Sequence, residues 1–591
     1  MENSTIEGTE CLDVDEDFQD ACEIQPEPCS MDLDTALLEA KKAVHYFFNN
    51  KFEEARNTLR PWASTSMYHS VGHSVFMFLE AVLTFEQRHI EAAGDALKQC
   101  MSVCNKYRRK NTISETIGKI VKKPNYDTYT PEEIHAELCF AEALLLKSML
   151  TFMEDETLVS FIKAGLKIRS CFNSYKECMT ILKSRNWSNE SHKVHFEGGV
   201  RMGIGAFNLM ISLLPARAIK LLEFIGFSGS RTLGLRELEA GYKLQNSLRQ
   251  VLSVMTLLGY HLIVVYVLSH TEGDLDFCDE ILRGQMQLYP DGVWFLFFKG
   301  RLEFMKGNID ESISWYTRSW QSQNIWPQFH HLCFWELMWT NCVQMNWQEA
   351  SSFSTRLLLE SRWSRTIYSY QTAAILLMLE EELNPEQKKE IETLMRNAPN
   401  WKQRIAGKSL PMEKFAVKKT ARFFAQGNTL VLPAFELLYL WNMFKVLGKK
   451  FEMVQNVYKE IERTLRKLNQ AKVKTEYDAD NKALVLLLKA ACLRLMKSPL
   501  QAQECLMEVI ALEKNIKEDN YLIPYSVVEL AILSEQQNDH VKAMSLLEDA
   551  KKNYTGYSLE SRLHFKIHAF QLYLNEQKGT NSHNHVPETT V

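Results

Sequence analysis

Proline and glycine are scarce in this chain, 15 and 24 of 591 residues. That scarcity removes the punctuation on which hairpins, sandwiches and barrels depend. The 13 cysteines include no Cys-x-x-Cys pair, which argues against a disulfide framework or a zinc ribbon and fits reduced thiols in the cytosol or nucleus. Cys100 with Cys104, and His330-His331-Leu-Cys333, are not completed by a second ligand pair at zinc spacing, so core cysteines and capping histidines are expected there. Walker-type loops and His-Glu-x-x-His are missing. Gly226-Phe-Ser228-Gly-Ser230 ends on serine where a nucleophile elbow needs glycine, and Gly203-Ile-Gly205 is followed by Asn208 where a dinucleotide loop needs its third glycine. No enzyme, cofactor or metal site is expected.

Basic residues are absent from the first 30 positions, which carry ten acids. The formal charge of -5 therefore hides a net positive remainder. Residues 1–30 read as an acidic disordered leader, with neither the basic start nor the apolar core of a targeting peptide. Nucleic acid is disfavoured as a partner. The basic run Lys106, Arg108, Arg109, Lys110, Lys119, Lys122 and Lys123 lacks interleaved aromatics and a nucleic-acid-binding motif, and reads as a solvated loop.

What the chain has in quantity is helix-forming sequence, 46% hydrophobic overall, with apolar residues at helical spacing. Residues 36–61 read as helix, tight turn, helix. Ala43 faces Ala55 with Leu59 beyond, the packing of small residues in a tetratricopeptide unit, and Ala81 and Ala93 repeat it; Ala55 to Ala93 is 38 residues. The interval returns between Ser312 and Ala350, in units that also place Gly300, and small residues recur at Ala531, Ala543 and Ala550. The expected fold is an all-α tetratricopeptide-like helical-repeat solenoid, a right-handed superhelix of paired helices.

The centre is a glycine-rich stretch: Gly198, Gly199, Gly203 and Gly205 stand where a second backbone could approach, Pro215 should kink the helix, and Gly226 should stop it. A bent helical hairpin follows. Between Arg249 and Glu272 no formal charge occurs, a span long enough for a bilayer. Its His261, Gly259 and hydroxyl residues favour a buried solenoid helix over membrane contact. The organisation expected is a leader over 1–30, repeats over 31–190, the central hairpin and apolar helix over 191–275, repeats over 276–383, a looser proline-bearing connector over 384–430, repeats over 431–575 and a disordered tail over 576–591.

The phrases Phe-Phe-Asn-Asn-Lys-Phe near residue 50, Glu197-Gly-Gly-Val through Ser-Leu-Leu-Pro-Ala-Arg to Gly229, and Gln328-Phe-His-His-Leu-Cys-Phe-Trp-Glu-Leu-Met-Trp339 together resemble the tetratricopeptide repeat protein 39 family, closest to its A- and B-like members. The resemblance covers about residues 31–575. It implies a non-enzymatic scaffold with ties to lipid homeostasis and protein turnover, and it carries over no binding residue. The functional expectation is a cytoplasmic adaptor, with a nuclear pool, whose concave groove holds a client or an effector such as a ubiquitin-ligase component. A membrane- or lipid-associated protein using 251–268 is the alternative. The terminus adds a further expectation: a hydroxyl at Thr589 two residues before the apolar end Val591 is the pattern a PDZ domain reads by strand addition.

Overall fold

The computed structural model describes residues 31–583 apart from 85, 110–123, 155–157, 214–228, 270, 380–382, 403–409 and 474. The leader, Pro215, Gly226, Thr589 and Val591 lie outside the described residues. Every regular element within them is helical.

The first half pairs α1 (Leu33–Phe48) with α2 (Phe52–Leu59), α3 (Met67–Thr84) with α4 (Gln87–Tyr107), α5 (Pro131–Glu154) with α6 (Leu158–Ser184), and α7 (Glu190–Ser212) with α8 (Arg231–Lys243). Next, α9 (Gln250–Gly259) runs through a π turn at Tyr260–Val264 into α10 (Val265–Leu268) and pairs with α11 (Leu275–Leu288). Three regular pairs follow: α12 (Val293–Lys306) with α13 (Ile309–Gln321), α14 (Pro327–Val343) with α15 (Trp347–Glu360), and α16 (Arg365–Leu377) with α17 (Pro385–Asn397). Then come α18 (Pro411–Ala425), the broken helix α19 (Pro433–Leu440) and α20 (Phe444–Leu447), and α21 (Phe451–Gln470). The chain closes with α22 (Asp478–Leu495) and α23 (Pro499–Ala511), α24 (Leu522–Gln536) and α25 (His540–Lys552), and α26 (Glu560–His583). Residues 384–430, read from their prolines as a looser connector, thus hold two helices, and the last helix runs on to His583 where the tail was expected from 576.

Helix starts follow their capping chemistry. Asp32, Asn189, Ser230 and Asp274 each accept a first-turn N–H, and Asn384 with Gln387 forms a reciprocal capping box ahead of Pro385. Gly307, at φ 78°, ends α12 in the left-handed region that glycine adopts freely.

Within each pair the two helices differ in kind. In several pairs the first is buried around its circumference: Phe295–Phe298 in α12, Thr366–Leu376 in α16, all of α19, and Leu522–Ser534 in α24 are buried without interruption. The second is apolar along one stripe only, as in α13 with Ile309, Ser312, Tyr316 and Ser319 buried. Small residues set the approach of each pair. A Cβ on Gly300 would stand 2.7 Å from the Tyr316 ring, and the Ser312 hydroxyl donates to the Gly300 carbonyl at 2.9 Å. Ala43, Ala55, Ala81, Ala93, Ala350, Ala531, Ala543 and Ala550 are all buried.

Around the glycine-rich α7 the close neighbours are α5, α6 and α8. A Cβ on Gly203 would lie 2.0 Å from the ring of Tyr175; one on Gly205 would meet the Gly234 carbonyl at 3.0 Å, and one on Gly199 the Leu138 side chain at 2.6 Å. Gly198 would collide with Ser247 at 1.8 Å. The partner glycine, Gly234 on α8, packs its Cα against the backbone of Leu209.

The stack does not behave as a one-dimensional array in which repeats touch only their neighbours. Asn50, in the left-handed turn after α1, donates to the Asp291 carbonyl at 2.6 Å and accepts from the Val293 N–H at 2.9 Å. Phe47 and Phe52 pack on Trp326, and Phe48 on Phe295. Arg362 pairs with Glu86 at 3.1 Å and Arg231 with Glu576 at 2.7 Å. Trp335 of α14 meets Trp441 edge-on. The first hairpin is therefore seated on the middle repeats: Ala43–Leu59 share one apolar core with residues 251–574, while two further cores gather mainly within residues 33–150 and 126–211.

Candidate functional site: a basic cleft and the buried charge clusters

The first helices of several repeats are buried. The inner faces enclose ion-pair clusters that sequence reasoning did not find. In the largest, Lys419 donates to Glu436 at 2.6 Å and to Asp519 at 2.8 Å. Arg422 pairs with Asp519 and reaches Asn481 at 2.7 Å, and Asp480 accepts the N–H groups of Lys517, Glu518 and Asp519. Tyr521 donates to Glu436. Burial pushes the Glu436 carboxyl above the ordinary carboxylate range. Burial pushes Asp519 the same way, but Lys419 and Arg422 outweigh it and hold that group low. A second cluster joins Arg301 to Glu336 at 2.6 Å and to the Leu262 carbonyl at 3.1 Å, tying α12, α14 and the π turn together. These clusters look like perturbed active-site groups. Their members are buried and bonded to one another, and they tie neighbouring helices in register.

Cysteine and histidine fall the same way. The ten cysteines among the described residues are buried and free; burial pushes the thiols of Cys278 and Cys333 up to about 12, far from thiolate reactivity. His330 bonds the Gln323 carbonyl at 2.6 Å, and no group of three or more His, Cys, Asp or Glu among the described residues could hold a metal.

Accessible lysines gather at the carboxyl-terminal end. A cleft of about 1200 Å³ opens between the first turns of α18, the end of α25 and the first half of α26. Lys414, Lys418, Lys551 and Lys552 line it and are exposed; His564 and His568 stand on its α26 wall. Two carboxylates oppose them, Glu548 and Glu560. Glu548 is partly used by Lys552 at 3.0 Å, and Glu560 accepts the Gly556 N–H at 2.8 Å. Burial first, and Lys551 second, depress the His568 pKa, so that imidazole is neutral near pH 7. The lysines sit together because α25 ends on basic residues, where a helix C-terminus favours them, and the turn through Gly556 (φ 76°) and Leu559 (φ 65°) brings α26 back alongside. The sequence carried a signal in Lys551-Lys552 and in the two basic positions of α18, but no spacing rule joins segments 130 residues apart.

The apolar span has two faces. Val254, Leu257, Leu258 and Leu262 are fully buried while Ile263 and Val267 are 37% and 38% exposed. Gln250–Leu268 is long and apolar enough to cross a membrane, with 44% of its apolar window buried.

Paired helices, small residues at the crossings and a repeated 38-residue interval between Ala55 and Ala93 and between Ser312 and Ala350 define a tetratricopeptide-like helical-repeat protein. The model of the Iml2/Tetratricopeptide repeat protein 39 family matches residues 41–496, and the chain belongs to that family. It is 35% identical over 559 residues to tetratricopeptide repeat protein ttc-39B of Caenorhabditis elegans, covering 94% of this chain and 95% of that protein. Among solved structures, yeast Tom70 is 15% identical and covers 92% of this chain and 96% of its own, with a TM-score of 0.26. The Cut9–Hcn1 hetero-tetramer of the APC/C is 10% identical, with coverages of 90% and 96% and a TM-score of 0.23. Similarity at that level fixes neither curvature nor partner.

Proposed function

We propose that this protein is a non-enzymatic scaffold that holds partner proteins, and that its client surface is the basic cleft between α18, α25 and α26. The observation that carries the reading is the concentration of four exposed lysines, against two carboxylates, in a wide concavity. Such a cleft suits an acidic peptide segment: its wall mixes lysine ammonium groups with the half-buried ring of Phe565, so an extended or helical chain with acids beside an apolar residue is complementary to it. An effector such as a ubiquitin-ligase component would occupy another outer face and share the client, the division of labour of an adaptor in protein turnover. Lysine-directed cross-linking of the full chain to a fluorescent Glu- and Leu-containing peptide tests this. Adducts should concentrate on Lys414, Lys418, Lys551 and Lys552; adducts spread evenly over surface lysines would refute it.

The exposed Ile263 and Val267 on an otherwise apolar helix favour a second reading, contact with a lipid surface. Vesicle flotation decides it: recovery of the protein with neutral vesicles, lost on Ile263→Asp with Val267→Asp, supports that reading. At the terminus, Thr589 and Val591 are proposed as a PDZ tether, and Val591→Asp should abolish capture by PDZ domains.

A further inference from the structure

The cleft between α18, α25 and α26 holds positive charge that its surroundings leave unmatched. Lys414, Lys418 and Lys551 take no carboxylate among the described residues. Lys418 reaches only the Ser558 hydroxyl, at 3.2 Å, and Lys552 alone has an ion-pair partner, Glu548 at 3.0 Å. Charges of one sign gathered in a concave wall focus their field and concentrate an oppositely charged segment there. The chain carries such a segment itself. Residues 1–30 contain ten acids and no base, and Asp13, Asp15, Glu16, Asp17 and Asp20 crowd around Leu12, Val14 and Phe18. Carboxylates with apolar side chains between them are the complement of ammonium groups set around the Phe565 ring.

The fold also puts the leader's exit within reach of the cleft. Asp34, in the first turn of α1, bonds the His192 ring of α7 at 2.7 Å. Further along α7, Asn208 accepts the Ser230 N–H at the start of α8, at 3.2 Å, and the next residue, Arg231, bonds Glu576 of α26 at 2.7 Å. From Glu576, α26 leads back to His568 on the cleft wall. At about 1.5 Å of rise per residue along these helices, with the side-chain bridges between them, Met31 and the cleft are no more than about 75 Å apart. The acids between Glu2 and Asp20 lie at contour distances of about 40 to 100 Å from Met31 when the chain is extended.

We infer that residues 1–30 occupy this cleft in the same molecule and that client peptides compete with them for it. The competition, though not the occupancy, rests on the cleft being the client surface. A tethered segment faces its site at an effective concentration on the order of 1 mM. An intrinsic dissociation constant of about 0.1 mM would then keep the cleft about nine-tenths filled and weaken client binding about tenfold.

The test treats the full-length protein with a water-soluble carbodiimide, which joins a carboxylate to an amine in contact with it, and maps the joined residues in the monomer by mass spectrometry. Leader carboxylates should be found on Lys414, Lys418, Lys551 or Lys552, in a yield that falls with added salt and holds on dilution. A full-length variant with the ten leader acids changed to Asn or Gln then measures the competition. It should bind the fluorescent Glu- and Leu-containing peptide about tenfold more tightly than the native chain, at an unchanged melting temperature. Leader cross-links confined to Lys41, Lys42 and Lys51, beside the exit, would overturn the inference, as would joins to the cleft made only between two copies of the chain. Equal peptide affinity of the two proteins would overturn it too, and would leave the client reading standing. Cross-links to the cleft lysines in a protein whose neutralised form binds no peptide would support the occupancy and remove the client reading.

Discussion

Gly203 lies under the ring of Tyr175 with no room for a methyl group. Tyr175 is itself fully buried, and its hydroxyl has no partner to release, so the ring cannot swing away without opening the core. Gly203→Ala should lower stability by about 1–3 kcal/mol and Gly203→Leu by more, read from chemical denaturation against Gly94→Ala, where a Cβ would meet nothing. Equal cost at the two positions would contradict the packing described. Histidine gives a pH dependence of definite sign. His195 accepts the Leu248 N–H at 3.0 Å, and burial, with Arg249, Lys41 and His192 nearby, depresses its pKa to about 4. In the unfolded chain the group titrates near 6.5. Between those values the unfolded state binds more protons, so this contribution is complete above about pH 6.5 and is lost as pH falls toward 4, at up to ~1.4 kcal/mol per pH unit. His135, buried beside Tyr68 and His192, acts in the same direction. His195→Gln, which keeps an acceptor for Leu248, should flatten part of the fall in melting temperature between pH 7 and 4.5; an unchanged slope would show that His195 is not the titrating group.

Elements were the best-read level of this sequence, because apolar spacing and capping residues are local. The start of α5 is local in this sense: at Thr130-Pro131-Glu132-Glu133 the structure joins Thr130 and Glu133 by reciprocal bonds of 2.8 and 3.2 Å. Over 384–430, Pro385 and Pro411 stand at helix starts, where proline needs no N–H partner, so they mark the beginnings of α17 and α18. The glycines of α7 signalled close approach, but not that Tyr175 and Gly234 would be the approaching groups, since those contacts depend on the fold. The seam at Asn50 was likewise illegible, being a left-handed turn that presents one amide to a strand of backbone some 240 residues away. Asn50→Ala should cost about 1–3 kcal/mol through strain and lost bonds, and hydrogen exchange should rise selectively over 289–326. An effect confined to residues 33–62 would mean that the first hairpin does not rest on the middle repeats.

For the whole molecule, the first helices of several repeats are buried on all sides and stack into a shared core. The lysines of the carboxyl-terminal cleft gather accessible charge of one sign in one concavity. Residues 1–30 hold ten acids and no base, so charge complementarity also predicts that removing them tightens binding of an acidic peptide to the rest of the chain. The most direct measurement is the dissociation constant of a fluorescent Glu- and Leu-containing peptide, by anisotropy, for the native protein and for a variant with Lys414, Lys418, Lys551 and Lys552 each changed to Glu. These side chains are exposed, so the melting temperature should stay nearly constant. The account predicts affinity about tenfold or more weaker in the variant and a native affinity that falls with added salt; equal affinity of the two proteins, at equal stability, would contradict it.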